Sequence, residues 1–253
     1  VFSMKYTVMT GASWGIGYQT SLAFAKRNKN LIIASRQKNE LEELKRKLLM
    51  EYPDLDIILK VVDLSYSLDI YEFYESLKKY EIETWVNNAG LGDFSLVSKE
   101  NLSKIENMID LNIKAVTILS ALFVQDYSEI EGTKLINVSS NTGYIIVGNA
   151  VIYCATKFYV SAFTEGLIHE LKQQNSKMKV KILAPGRTET QFGKTATGLK
   201  DYNYQEGGIK YHTPKEMADF LLKLYDSEYS IGLVSRVTGE FEFSEPIFEY
   251  MNK

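Results

Sequence analysis

Short runs of β-branched and other apolar residues alternate along the chain with longer segments whose apolar positions recur at helical spacing. The runs at 6–10, 31–35, 57–62, 84–87, 134–139 and 178–183 are each followed by a helical pattern, at 15–28, 38–50, 67–79, about 101–127, 151–174 and, after a loop, from Pro214. Leu31-Ile32-Ile33-Ala34 and Lys134-Leu135-Ile136-Asn137-Val138 are apolar nearly throughout. A strand of that kind is buried on both faces, as in a parallel sheet covered by helices. Six such alternations predict an α/β fold: three layers around a doubly wound parallel sheet with right-handed crossovers. Thr213 ahead of Pro214 and Glu216 reads as a helix N-cap. The stretch 186–212 is long, glycine-containing and unpatterned, which predicts a lid or binding loop. Beyond residue 230 the pattern yields one more strand, somewhere in 233–243.

Composition narrows the class. The 253 residues, 45% hydrophobic, suffice for one domain over 1–253 with a sizeable core and are too apolar for disorder. Lys+Arg number 29 against 32 Asp+Glu, a net charge of −3, without the basic excess of a nucleic-acid binder. No apolar run approaches a membrane span, and the N-terminus lacks a signal-peptide pattern. Val1-Phe2-Ser3, ahead of Met4, read as an expression remnant. The single cysteine, Cys154, cannot form an intrachain disulfide, which together with the missing leader points to a reducing cytoplasm. It reads as a small buried filler rather than a redox switch. His169 and His212 lie far apart and make no metal site.

Thr10-Gly11-Ala12-Ser13-Trp14-Gly15-Ile16-Gly17 joins the first strand to the first helix. Gly11 permits a sharp turn, Gly15 a close approach of backbone to a ligand, and Gly17 close helix–strand packing. The helix N-terminus then presents free N–H groups to a pyrophosphate. The spacing is Gly-x-x-x-Gly-x-Gly, not the commoner Gly-x-Gly-x-x-Gly. An ordinary strand–helix turn could look similar, but the position after the first strand favours a dinucleotide. An NAD site wants a carboxylate at the end of the second strand for the ribose 2′-hydroxyl. Here the chain reads Ala34-Ser35-Arg36, whose hydroxyl and guanidinium would attract a 2′-phosphate. The cofactor expected is therefore NADP(H).

Tyr153 and Lys157 stand four residues apart in a helical segment, hence on one face. A free tyrosine, with a pKa of about 10, exchanges protons poorly near neutrality, and an adjacent ammonium would lower that value. Alone, the pair means little. Ser140, though, ends the fifth strand, and Asn87-Asn88-Ala89-Gly90 ends the fourth. In open α/β sheets ligands bind outside the carboxyl ends of strands.

The ordered set Gly11…Gly15-Ile16-Gly17, Asp63-Leu64, Asn87-Asn88-Ala89-Gly90, Asn112, Ser140, Tyr153-x-x-x-Lys157 and Pro185-Gly186 with Thr190 resembles the short-chain dehydrogenase/reductase family, in its single-domain, NADP-preferring branch with a Rossmann-like fold. The resemblance spans residues 10–190. It implies that Tyr153 is the general acid/base, that Ser140 positions the substrate oxygen, and that Lys157 depresses the Tyr153 pKa and holds the nicotinamide ribose. Asn112 would anchor a water relaying protons from Lys157. Asp63 would bond the adenine, and Asn87 and the backbone through Gly90 would line the adenosine side. The Thr188 backbone would meet the carboxamide and Thr190 the phosphates. Two features depart from the family: Phe243-Ser244-Glu245-Pro246 stands where many members carry Asp-Gly-Gly, and Arg27-Asn28-Lys29-Asn30 replaces a usual glycine at the end of the first helix.

Phe94 and residues 144–147 are expected to line the pocket. Phe192, Tyr202, Tyr204 and Tyr211 could form an aromatic wall or pack the loop. Arg187, Lys194 and Lys210 would suit an acyl-carrier partner. Helices 101–127 and 151–174 are apolar over much of their circumference, and the resemblance implies that they pair between copies into a homodimer or homotetramer. The expected activity interconverts a small-molecule carbonyl and its alcohol; the alternative is a non-catalytic NADP(H)-binding sensor. NADPH is expected to bind more tightly than NADH in a direct titration, and equal affinities would refute the reading of Ser35-Arg36.

Overall fold

The computed structural model describes residues 4–198, 203 and 210–252. Strand–helix units follow one another as the pattern predicts: β1 (Lys5–Thr10), α1 (Gly15–Lys26), β2 (Asn30–Ser35), α2 (Lys38–Glu51), β3 (Ile57–Val61), α3 (Ser67–Glu75), β4 (Glu81–Asn87). Then come α4 (Leu102–Ile109), α5 (Val116–Tyr127), β5 (Lys134–Val138), α6 (Val151–Gln173), β6 (Lys179–Ala184), α7 (Gln191–Thr197), α8 (Pro214–Asp226), β7 (Ile231–Val234) and β8 (Phe241–Ser244). Among the described residues the eight strands form one sheet in the order β3-β2-β1-β4-β5-β6-β7-β8. All neighbours are parallel except β7 and β8. The chain winds outward from β1 to β3, returns to β4 beside β1, and winds the other way. Between β1 and β4 lies the topological switch, where the helices change face and a crevice opens.

Both faces of the sheet are buried. On one, Phe24 of α1, Leu41, Leu44 and Leu48 of α2, and Met217 and Leu221 of α8 pack on Met9, Ile33 and Ile136. On the other, α3 and α5 cover Val8, Ile32 and Trp85. Trp85, fully buried, has the rings of Phe73, Tyr74 and Phe123 at centroid distances of 5.8, 5.5 and 5.6 Å.

The segment 101–127 is not one regular helix. Asn101 caps α4 through its side chain, and a π-helical turn over Asp110–Ala115 separates α4 from α5. The rod Leu102–Tyr127 has 26 residues, and an 18-residue window within it has a mean hydropathy of 1.4, long and apolar enough by length and composition to cross a membrane. In this structure Leu119 and Phe123 bury it against the sheet. Thr213 and Glu216 form a reciprocal capping box at the start of α8. Past residue 230 there are two strands, not one. β8 escapes the pattern because it is a half-exposed edge strand, tied by ring stacking of Phe241 on Phe220 (4.5 Å) and Phe243 on Tyr229 (5.2 Å).

Removing Trp85 leaves a void its neighbours cannot fill. Trp85→Ala is expected to cost about 3–5 kcal/mol, read as a lower midpoint in equilibrium urea unfolding; a loss under 1 kcal/mol would mean that this layer is loosely packed.

Candidate active site

The turn after β1 is shaped by what it leaves no room for. Gly11 has φ +64°, and a Cβ there would sit 2.8 Å from the Ala89 Cα. At Gly17 a Cβ would run into the Gly11 carbonyl oxygen. The Thr10 hydroxyl accepts hydrogen bonds from the Asn88 and Ala89 amides, both at 3.0 Å, while the Asn88 Nδ2 donates to the Thr10 and Gly11 carbonyls at 3.2 Å each. The ends of β1 and β4 are thus locked together at the switch point. No side chain caps α1 at Trp14, so its first-turn N–H groups gain no side-chain partner there.

A cleft of about 580 Å³ runs over this rim. Every catalytic or cofactor-binding position proposed from the sequence lines it except Gly17, Asn87 and Asn112. Asn87 lies beneath the floor, donating to Asn137 (2.9 Å) and Ser120 (3.1 Å) and accepting from the Trp85 indole (2.8 Å). Alternation along a strand decides this: Asn87 still belongs to β4, and Asn88, expected to contribute only its backbone, faces the cleft instead. The Asn112 amide accepts from Leu91 N (2.8 Å) and donates to Leu91 O (2.7 Å) and Thr156 Oγ1 (3.0 Å). It clamps the chain leaving β4 onto α6. A Cβ on Gly90 would lie 3.3 Å from Asn112 Oδ1 and 3.5 Å from Lys157 Nζ, so these three residues converge.

At the β2 end Gln37, which sequence reasoning passed over, accepts from Ser35 (2.8 Å) and Ser13 (3.0 Å), tying the two hydroxyls together. Arg36 reaches Asp63 at 3.7 Å. Burial opposes ionisation of Asp63, but hydrogen bonds from Ser65 and the Arg36 charge outweigh it and hold the carboxyl below its usual range.

Ser140 leaves β5 and caps a short 3₁₀ turn, its Oγ accepting from Thr142 N (3.1 Å) and Thr142 Oγ1 (2.9 Å). Tyr153 and Lys157 are each 6% exposed, and the ammonium lies 5.9 Å from the phenol ring centre while donating to Val138 O at 3.2 Å. The sequence predicts that the ammonium lowers the phenol pKa. In the structure burial dominates both groups instead. It raises the phenol above its ordinary value, against the opposing hydrogen bonding with Ser140 and Thr142, and pushes Lys157 down to about 8. The phenol is therefore a proton donor at neutral pH.

Beyond Tyr153 the cleft is aromatic. Phe94 and Phe192 stand 5.6 and 5.4 Å from the Tyr153 ring and 6.3 Å from each other. A backbone bond from Phe94 N to Ala196 O (2.8 Å) holds α7 over the pocket. Of residues 144–147 only Val147 lines the cleft; Tyr144 turns away to donate to the buried Glu165 at 2.8 Å. Lys210 is held by Glu240 at 2.7 Å. Tyr202 and Tyr204 lie outside the described residues, and no group of metal-ligating side chains occurs among the described ones.

This geometry has recognisable relatives. Residues 5–199 match the short chain dehydrogenase family. The chain belongs to that family. It is 31% identical over 136 residues to dehydrogenase/reductase SDR family member 11 of Gallus gallus, covering 52% of each chain. The chain spans about half the length of the curated relatives it matches. Among solved structures, a short-chain dehydrogenase from Sphingobium yanoikuyae in complex with NADPH superposes with a TM-score of 0.78 at 27% identity, over 90% of this chain and 86% of that one. The bulky-bulky ketone specific alcohol dehydrogenase from Comamonas testosteroni gives 0.77 at 25%, over 89% and 84%. The family is one of oxidoreductases, and the cleft suits a dinucleotide: it has an uncapped helix end at one side and holds one carboxylate, Asp63, among its described lining residues.

Lys157 also carries a stability consequence. Its folded pKa of about 8 lies below the unfolded value of about 10.4, so the unfolded chain binds the proton more tightly; the folded state carries the full penalty below about pH 8 and is relieved of it between pH 8 and about 10.4. Stability should rise with pH through this window. Lys157→Met is expected to raise the melting temperature of the cofactor-free protein at pH 7, with the gain shrinking above pH 8 in calorimetry. A gain independent of pH would overturn this.

Proposed function

We propose that the chain is an NADP(H)-dependent oxidoreductase interconverting a ketone or aldehyde and its alcohol. The observation that carries this reading is the placement of Ser140, Tyr153 and Lys157 together on the cleft, under the wall formed by Phe94 and Phe192. In the reducing direction the Tyr153 phenol donates its proton to the substrate carbonyl oxygen, and the Ser140 hydroxyl holds that oxygen in line. Bound NADPH would supply the hydride, so the protein contributes placement and electrostatics. The Lys157 ammonium holds the nicotinamide ribose and stabilises the tyrosinate left after proton transfer. Asn112 keeps Gly90 and Leu91 packed beside it.

The first turn of α1 and Thr190 take the phosphates, and the Thr188 backbone takes the carboxamide. Gly15 and Thr190 are near neighbours, since a Cβ on Gly15 would meet Thr190 Cγ2 at 2.9 Å. Arg36 takes the 2′-phosphate. Its 3.7 Å pairing with Asp63 is half-exposed and therefore weak, so the guanidinium is free to turn to a doubly charged ligand. Two NADP-named relatives of the fold, the complex above and an alcohol dehydrogenase from Thermococcus sibiricus with 5-hydroxy-NADP, are in keeping with this choice.

A sensor without chemistry would gain by replacing a buried lysine whose charge burial opposes, which favours the enzymatic reading. Pairing between copies through α4, α5 and α6 is supported by the apolar rod, of whose most apolar window 44% is buried within one copy. The buried thiol of Cys154 is in keeping with a reducing cytoplasm.

Tyr153→Phe keeps the ring among Phe94 and Phe192 and removes the acid. It is expected to lower kcat by about 10²–10⁴-fold while leaving NADPH affinity unchanged by fluorescence titration. Full turnover in this variant would sink the mechanism.

A further inference from the structure

The far end of the cleft carries a cation the phosphates do not need. Arg236 lines the cavity and is half-buried. Among the described residues it has no carboxylate partner, whereas Arg36 and Lys210 each have one. It sits in the β7–β8 hairpin, which is internally fastened. The Ser235 hydroxyl accepts from the Val237 and Thr238 amides at 3.2 Å, Ser235 N donates to Glu240 O at 2.9 Å, and Gly239 N donates to Ser235 O at 2.8 Å. The root of the hairpin is tied to the reacting centre, for Asn141, next to Ser140, donates to Val234 O at 3.4 Å.

Sheet order places this arginine away from the phosphate turn. β7 is four positions from β1 and five from β2. At about 4.8 Å per strand, the strand it follows runs roughly 19 Å from the one ending in Gly11. Ser140, which follows β5, lies only two strands from β7, and the described carboxylate of the cleft, Asp63, follows β3 at the other edge of the sheet order, beside Arg36.

Resting on the proposed carbonyl–alcohol chemistry, we infer that Arg236 anchors a carboxylate on the substrate, so that the substrate class is a keto acid, or the matching hydroxy acid, with an apolar body between its two polar ends. The carbonyl oxygen goes to Ser140 and Tyr153, the apolar body against Phe94 and Phe192, and the carboxylate to the guanidinium fork, whose paired N–H donors match two carboxylate oxygens. Ala150 and Val147 add apolar surface to the same cleft. A phosphate of the cofactor is the competing source of negative charge, and the two are separable.

The experiment uses aryl methyl ketones bearing a carboxylate on alkyl tethers of increasing length, each beside its methyl ester, bound by calorimetry to the NADP⁺-loaded protein, where no turnover occurs. At the favoured tether the wild type should bind the acid roughly 10- to 100-fold more tightly than the ester. Arg236→Gln should erase that difference while leaving ester and NADP⁺ affinities unchanged, and Arg236→Lys should keep part of it. No acid preference at any tether, or a preference that survives in Arg236→Gln, overturns the inference. So does a loss of NADP⁺ affinity in Arg236→Gln, which would assign the arginine to the cofactor. Acid preference that depends on Arg236, without ketone reduction when NADPH replaces NADP⁺, upholds the anion site and strikes the reductase reading alone.

Discussion

The rim of this sheet depends on how closely the turn after β1 approaches the chain leaving β4. Gly11 and Ala89 are so near that no side chain fits between them, and the Thr10 hydroxyl and Asn88 amide bond across the gap. With those two strand ends fixed, the rest of the cleft is positioned by inheritance. The α1 N-terminus is aimed by the turn, Gly90 and Leu91 are delivered to Asn112, and Asn112 in turn grips α6 through Thr156. The irregular backbone at Asp110–Ala115 is where that grip is made. A ligand lying along the strand ends therefore touches parts of the chain that no local interaction would hold together.

Burial, more than charge, sets the chemistry at the reacting centre. Tyr153 and Lys157 share a helix face, and proximity alone would have the ammonium depress the phenol. Taken out of water together, each is instead pushed toward its neutral form. In the proposed reaction, a protonated phenol beside a lysine whose pKa is lowered to about 8 is suited to handing over one proton and being restored. The stability given up by burying Lys157 is local and is offset by the packed layers on either side of the sheet.

The aromatic end of the cleft and the hairpin that carries Arg236 come from opposite directions in the chain. Phe94 follows β4, Phe192 belongs to α7, and Arg236 follows β7. Their meeting produces a pocket with an apolar middle and polar ends, the kind of arrangement that reads the shape and charge of a substrate without altering the reaction performed on it.

The sequence by itself determined the alternation of strands and helices, the glycine turn after β1, and the shared helix face of Tyr153 and Lys157, because each is written in local spacing: period, glycine placement, and residues one helical turn apart. The second strand after residue 230 was illegible, since a half-exposed edge strand has no continuous apolar run. Gln37, Arg236 and the side-chain direction of Asn88 were illegible too, because a polar residue in a loop looks the same whether it faces solvent or a cleft. Asn87 and Asn112 were legible as residues but not as directions: only the pairing of β4 with β5, and the packing of the π-helical turn on α6, decided that their amides would be spent inside the protein. What tertiary structure alone settled was which side chains share a surface and how far water is excluded from them, and these are long-range properties that residues adjacent in sequence do not encode.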